Sequence, residues 1–339
     1  MTAMKKINVG VIGAGRIGRI HAKNLKYQIP GVRIAAVADV VIGAAKNLAE
    51  ELEIPITEHY YQRLLEDKDI QAVVVCSSTD THAEIIVEAA RAGKHIFCEK
   101  PIDLNLERID QALKTVVKSG VKFQVGFNRR FDPSFRKAKE LVEAGRIGRP
   151  HLLRISSRDP QPPPIDYVKI SGGLFLDMMI HDFDMARYLM GEEVTELVAS
   201  GNCCIDAAIG CAGDVDTAVV VLKFQSGALG AIDNSRQAVY GYDQRIEVFG
   251  SEGSVIVGNK TPTEVTVHKA DSIHGEKPLS FFLERYQEAY LAEMQHFIDC
   301  ILQDKEPSVG GRDGRISVEL GLAAKESLAK GMFVRLQKG

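Results

Sequence analysis

No apolar run in the 339-residue chain approaches the roughly 18 residues that a membrane-spanning helix requires, which excludes one. Low-complexity tracts and a Gly-x-y period are also missing. With 45% hydrophobic and 26% charged residues, the composition is that of a soluble globular protein and not of a disordered one. There is no long basic block and the formal net charge is only -3, so a nucleic-acid partner finds no support. Cysteine is scarce. Cys76, Cys98, Cys203, Cys204, Cys211 and Cys300 include no C-x-x-C pair, which argues against a disulfide scaffold. The cluster Cys203, Cys204 and Cys211 lacks zinc-ligand spacing and reads as reduced thiols. The first residues run directly into a strand-like motif and leave no room for a secretory signal, so a cytoplasmic location is expected.

What is present has length enough for two hydrophobic cores. Up to residue 125, strand-like runs (6–12, 33–38, 72–76, 94–98 and 122–125) alternate with amphipathic segments of helical length (17–27, 42–53, 60–66, 81–92 and 105–119). Such alternation implies βαβ units and a doubly wound parallel sheet, an α/β domain over 1–125. From 126 to 339 the pattern changes. A helix over 133–143, a strand over 151–157 and a proline-rich loop precede a helix over 175–190. Five β-type runs follow (194–200, 217–224, 228–233, 244–249 and 254–257), and two long helices (284–303 and 312–330) close the chain. This predicts an α+β domain with a large, mostly antiparallel sheet covered by helices on one face. The open face would be buried by a second subunit, so a homo-oligomer, a dimer or tetramer, is expected.

The glycines of Val9-Gly10-Val11-Ile12-Gly13-Ala14-Gly15-Arg16-Ile17-Gly18 follow a strand and open a helix, the context that gives G-x-G-x-x-G its meaning. Gly13 permits the turn, Gly15 lets a pyrophosphate approach the backbone, and Gly18 allows close packing. The amides around Arg16 and Ile17 would then face the phosphates. Asp39 lies 21 residues past Gly18 at the end of the second strand, where it would accept from ribose hydroxyls and repel a 2′-phosphate. NAD is therefore favoured over NADP. Ser77 and Thr79, just past the 72–76 strand, and His82, on the helix that follows, fall at the same edge.

Two segments carry groups suited to hydride-transfer chemistry. Glu99-Lys100-Pro101 follows the 94–98 strand. Asp177, His181 and Asp184 lie among apolar neighbours, and the four-residue spacing of the first two predicts a shared helix face. A histidine can take a hydroxyl proton near neutral pH, and a lysine can stabilise the developing alkoxide across an interdomain cleft. Asp177, His181 and Asp184 also suit a metal by ligand type, but no further ligands stand out and no metal is expected.

The glycine motif with Asp39, Glu99-Lys100-Pro101, and Gly172-Gly173 with Asp177, His181 and Asp184 together resemble the Gfo/Idh/MocA family of sugar and polyol oxidoreductases, over nearly the whole chain. Leu174 stands where the family has a third glycine, and Met178-Met179 where smaller residues occur. The resemblance implies NAD as cofactor and Lys100, Asp177 and His181 as the catalytic group, with Glu99 and Lys100 also at the cofactor. Gly126–Asp132, Arg158-Asp159-Pro160, Tyr240–Asp243 and Tyr290 resemble segments of members acting on cyclitols. They imply Asn128, Asp159, Asp184, Tyr240 and Tyr290 as binders of substrate hydroxyls and a cyclitol substrate, myo-inositol first. A scyllo-inositol or pyranose dehydrogenase, an NAD-using glycosidase and a non-catalytic NAD sensor are the alternatives.

Overall fold

The computed structural model describes residues 6–336. In chain order it contains β1 (Ile7–Ile12), α1 (Arg16–Tyr27), β2 (Val32–Ala38), α2 (Ile42–Leu52), β3 (Ile56–Glu58), α3 (Gln62–Glu66), β4 (Ala72–Val75), α4 (Thr79–Arg91), β5 (His95–Glu99), α5 (Leu106–Ser119) and β6 (Phe123–Gly126). The six strands form a parallel sheet in the order β3-β2-β1-β4-β5-β6. This is the doubly wound order, which reverses between β1 and β4 and opens a crevice at their carboxyl ends. Strands covered on both faces must be apolar throughout, and Val9, Val11, Val37, Val74 and Phe97 have no exposed surface. Helix α5 shows how local chemistry sets the boundaries. Asn105 accepts from the Glu107 and Arg108 amides at one end, and Gly120, at φ 66°, closes the other.

The second series comprises α6 (Pro133–Glu143), β7 (Pro150–Arg158), α7 (Ile165–Val168), a π-helical turn (Leu174–Met178), α8 (Ile180–Met190), β8 (Val194–Asn202), α9 (Ala207–Cys211), β9 (Thr217–Phe224), β10 (Leu229–Ser235), β11 (Asp243–Gly250), β12 (Gly253–Val257), β13 (Thr266–His268), β14 (Ile273–Gly275), α10 (Phe282–Arg285), α11 (Gln287–Gln303), α12 (Gly311–Lys330) and β15 (Val334–Arg335). Seven strands pair in the order β12-β11-β7-β10-β9-β8-β15, antiparallel except for β7 beside β10. Period-two alternation sends Leu153, Ile155, Val220, Leu222, Ile232 and Val248 to the buried face. The other face exposes Val219, Val221, Leu229 and Phe249 by 38 to 47%, interspersed with charged side chains such as the Arg154–Glu247 pair.

The chain divides into two compact units. One runs through Phe131 and includes Glu288–Val318; the other is Asp132–Gln287 with the chain from Glu319 on. This differs from the expected split at 125/126, because α11 residues Met294, Phe297 and Ile298 complete the core of the first unit against Leu25 and Phe97. Two expected helices are revised. The segment 175–190 begins as a π turn, with the Met179 amide donating to the Leu174 carbonyl five residues back. The segment 284–303 is broken at Tyr286 into α10 and α11. Strands β3, β13, β14 and β15 and helices α7 and α9 were not expected, being too short to show a period. No helix among the described residues is long and apolar enough to cross a membrane.

Candidate active site

In the first unit, contacts from one loop to the next tie together the carboxyl edge of the sheet. Gly13 has φ +98°, and a Cβ there would lie 2.5 Å from the Cys76 carbonyl oxygen, so β1 turns directly against the end of β4. A Cβ on Gly18 would overlap the Gly13 carbonyl oxygen, which is the close packing expected of it. A Cβ on Gly15 meets nothing within 4 Å. Helix α1 therefore begins, at Arg16, beneath open space, with no side-chain cap and no acid in its first turn. That is the arrangement an anionic pyrophosphate needs.

Asp39 closes one side of this cradle. Its Oδ2 accepts from the Ala14 amide and its Oδ1 from the Val41 amide, both at 2.7 Å. The carboxylate fixes the glycine loop and keeps lone pairs for ribose hydroxyls. Ser77 exchanges a 2.7 Å hydrogen bond with Thr81, and Thr79 opens α4. His82 is buried, with Nδ1 2.8 Å from the Pro101 carbonyl and Nε2 3.0 Å from the Ser77 carbonyl. Both ring nitrogens face backbone carbonyls, so His82 ties the loops that carry Ser77 and Lys100. Lys100 is half-buried and joined to Pro101 by a cis peptide bond. Glu99 Oε1 lies 2.7 Å from Nε2 of His21 on α1. Gly126 leaves the room for it, since a Cβ there would lie 3.0 Å from Glu99 Oε2. Beyond β6, Asn128 is buried, and its Nδ2 has no hydrogen-bond partner among the described residues. Tyr290 lies inside α11, buried, with its ring edge-on to His21 at 5.7 Å.

In the second unit, Gly172 and Gly173, at φ +87° and +79°, lead into the π turn. Asp214 grips its start, both carboxylate oxygens accepting from the Leu174 amide at 2.9 and 3.1 Å. A Cβ on Gly173 would lie 2.5 Å from Asp214 Oδ1, so the second glycine is required here for space as well as for conformation. The turn delivers Asp177 onto two donors. Tyr167 hydroxyl reaches Oδ1 at 2.9 Å, and Arg236 Nη2 reaches Oδ2 at 3.1 Å. Arg236 Nη1 also reaches Asp159 at 3.4 Å. Burial opposes the Arg236 charge, but Asp177 and Asp159 outweigh it and hold its pKa above the ordinary value. Burial, then the Asp177 carboxylate, push the Tyr167 phenol up, so it remains a donor.

His181 follows in the first turn of α8, half-buried, and Asp184 is buried one turn later. Because Asp177 belongs to the π turn, the expected α-helical face shared with His181 is not the geometry that relates them. Asp182 anchors α8 to the sheet, accepting from Ser157 at 2.6 Å and from Asn234 at 2.8 Å. Tyr240 donates to Asp243 at 2.6 Å and accepts from Arg158 at 3.1 Å, so its hydroxyl is already engaged by the protein.

Sequence reading missed Arg236, Tyr167, Asp214 and Glu293, which fall in no spaced motif and which only the fold brings to the named residues, and passed over Asp182 beside His181.

Residues 7–127 match the family described as "Oxidoreductase family, NAD-binding Rossmann fold", and residues 135–256 match the "GFO/IDH/MocA C-terminal domain". A myo-inositol 2-dehydrogenase of Thermotoga maritima is 52% identical over 332 residues, covering 98% of this chain and 99% of the relative. A scyllo-inositol 2-dehydrogenase (NAD(+)) of Bacillus subtilis is 41% identical over 98% of this chain and 96% of its own length. Among solved structures, a scyllo-inositol dehydrogenase of Lactobacillus casei with bound NAD(H) and scyllo-inositol superposes with a TM-score of 0.92 at 32% identity, covering 98% of this chain and 99% of that one. The chain belongs to the Gfo/Idh/MocA family of NAD-binding oxidoreductases.

Proposed function

We propose that the protein oxidises one secondary hydroxyl of a cyclitol to the ketone, myo-inositol at its 2-position first, with NAD+ as acceptor. The observation that carries this reading is that Lys100, Asp177 and His181, which the family resemblance assigns to catalysis, stand in a chain 52% identical to an enzyme named for that reaction. In this reading the first unit is the NAD-binding domain and the second binds substrate. NAD+ held at the Gly13–Gly18 cradle and Asp39 supplies the hydride acceptor. His181 takes the proton of the hydroxyl whose carbon loses the hydride. Lys100 stabilises the negative charge on that oxygen, and Asp177, held by Tyr167 and Arg236, orients the substrate or the imidazole. Lys100 and His181 must then address one hydroxyl. Asn128 with its unpaired Nδ2, Asp159 and Asp184 supply polar contacts to the remaining hydroxyls; Tyr240 and Tyr290 complete that set.

Scyllo-inositol is the second reading, supported by the name of the Bacillus subtilis relative. A panel of inositol isomers and hexoses, followed by NADH absorbance, separates the two. The proposal expects steady NADH formation fastest with myo-inositol. NADH formation with hexoses alone, or none with any free polyol, overturns it.

The open sheet face supports a homo-oligomer. Val219, Val221, Leu229 and Phe249 project from three strands of one surface, and covering them with a second copy removes apolar area from water. Analytical ultracentrifugation showing only a 37.2 kDa species would remove this inference.

A further inference from the structure

Where α1, the end of β5 and α11 meet in the first unit lies a buried group of titratable side chains that the proposed reaction does not use. His21 of α1, Glu99 at the end of β5 and Glu293 of α11 each bring one ligand atom to within 4.8 Å of the others. His21 and Glu293 are completely buried, and the Glu99 side chain is 13% exposed. His21 Nε2 lies 2.7 Å from Glu99 Oε1 and 4.0 Å from Glu293 Oε1. Neither carboxyl oxygen of Glu293 has a hydrogen-bond partner among the described residues. Around them pack Phe97, edge-on to His21 at 4.9 Å, the Tyr290 ring, and the thiol of Cys76.

Two carboxylates on one imidazole in an apolar surround carry at least one negative charge too many, even against a fully charged imidazole. The cluster is balanced only when one acid holds a proton. Glu99 has the short contact to His21 and partial exposure, so it keeps the charge; Glu293 has neither. Burial, then the charge of Glu99, push the Glu293 carboxyl well above its ordinary range, consistent with that assignment.

We propose that Glu293, as a neutral acid, and His21 form a positioning pair for Glu99, fixing the carboxylate that immediately precedes Lys100. With Glu293 neutral, the His21–Glu99 bond is undisturbed and the β5 end is held still. Once Glu293 ionises at high pH, its carboxylate competes for His21 and repels Glu99. The titratable groups facing it are His21 from α1, Glu99 from β5 and Cys76 after β4, and none of them supplies a second cation. The consequence for turnover rests on the proposed role of Lys100; the protonation of Glu293 does not.

The test uses full-length E293Q, E293A and H21A. Glutamine copies a neutral acid in shape and charge, so E293Q is expected to keep at least about tenfold more kcat/KM than E293A, with H21A losing on the order of tenfold to a hundredfold. The alkaline fall of the wild-type pH profile should be absent from E293Q. In the infrared, wild type at neutral pH should show the carbonyl band of an un-ionised carboxylic acid that E293Q lacks. That band reports on Glu293 even if no polyol is oxidised, which separates failure of this inference from failure of the proposed function. A missing band, superimposable pH profiles, or one divalent ion per chain that E293Q loses would each overturn the positioning pair.

Discussion

Arg236 is the residue on which the proposed catalytic carboxylate leans, and replacing it with methionine isolates its charge. Met has similar reach and keeps the packing of the stem while removing both hydrogen-bonding arms. Arg236 is 3% exposed and bridges Asp177 and Asp159 at 3.1 and 3.4 Å. Removing one partner of a buried ion pair costs about 3–5 kcal/mol. The two carboxylate side chains retain 14% and 21% exposure, so water relieves part of the loss and about 2–3 kcal/mol is expected. Asp177 would keep only the Tyr167 hydroxyl of the two donors described for it and lose its fixed orientation, so kcat/KM should fall by about a hundredfold. Denaturant unfolding and steady-state kinetics on R236M and R236K check both numbers, with lysine restoring part of the stability but not the bridge between the two acids. Wild-type stability and wild-type kcat/KM in R236M would refute the role given to this clamp.

Asp39→Ala removes the acceptor of the Ala14 and Val41 amides, so NAD should bind on the order of tenfold more weakly. The NADP-to-NAD ratio of kcat/KM should rise as the repulsion of a 2′-phosphate disappears; an unchanged ratio would show that Asp39 does not select the cofactor. Asp216 is buried and accepts from the Cys204, Ile205 and Asp206 amides at 2.8 to 2.9 Å. Burial alone would raise its pKa, but these amides prevail and hold it below the ordinary 3.8. A depressed carboxyl contributes stability that is complete above the unfolded value and is lost as pH falls through the lower folded one. Wild type should therefore exceed D216N by about 2 kcal/mol at neutral pH, with the gap closing only below about pH 4. A gap that ignores pH would contradict it.

The parts of this molecule that were legible from sequence are those written in local spacing. The glycines at 13, 15 and 18 could be assigned separate jobs because turn, approach and packing each constrain a different position, and the structure shows open space only at Gly15. The alternation of strands and helices up to residue 125 sufficed for the parallel sheet, since buried strands and amphipathic helices differ in period. Other features depended on distant partners. The π turn at Leu174–Met178 is held by Asp214, forty residues on, which no helical period announces. Arg236 follows the last residue of a strand and looks like an ordinary loop cation until Asp177 and Asp159 meet it. His82 sat at the expected edge, but which atoms its ring would face depended on the Lys100-Pro101 loop. The first unit also recruits α11 from the far end of the chain, and this assigns Glu293 to the Rossmann core.

The central claim is that Lys100 and His181 act on one substrate hydroxyl, and a double-mutant cycle tests it most directly. K100M and H181A should each keep NADH binding and lose about a thousandfold in kcat with the polyol. If both groups serve the same proton and the same oxygen, the double variant should be little worse than the poorer single one, because effects of groups acting as a unit do not multiply. Losses that multiply in the double variant, or near-normal turnover in either single one, would contradict the account.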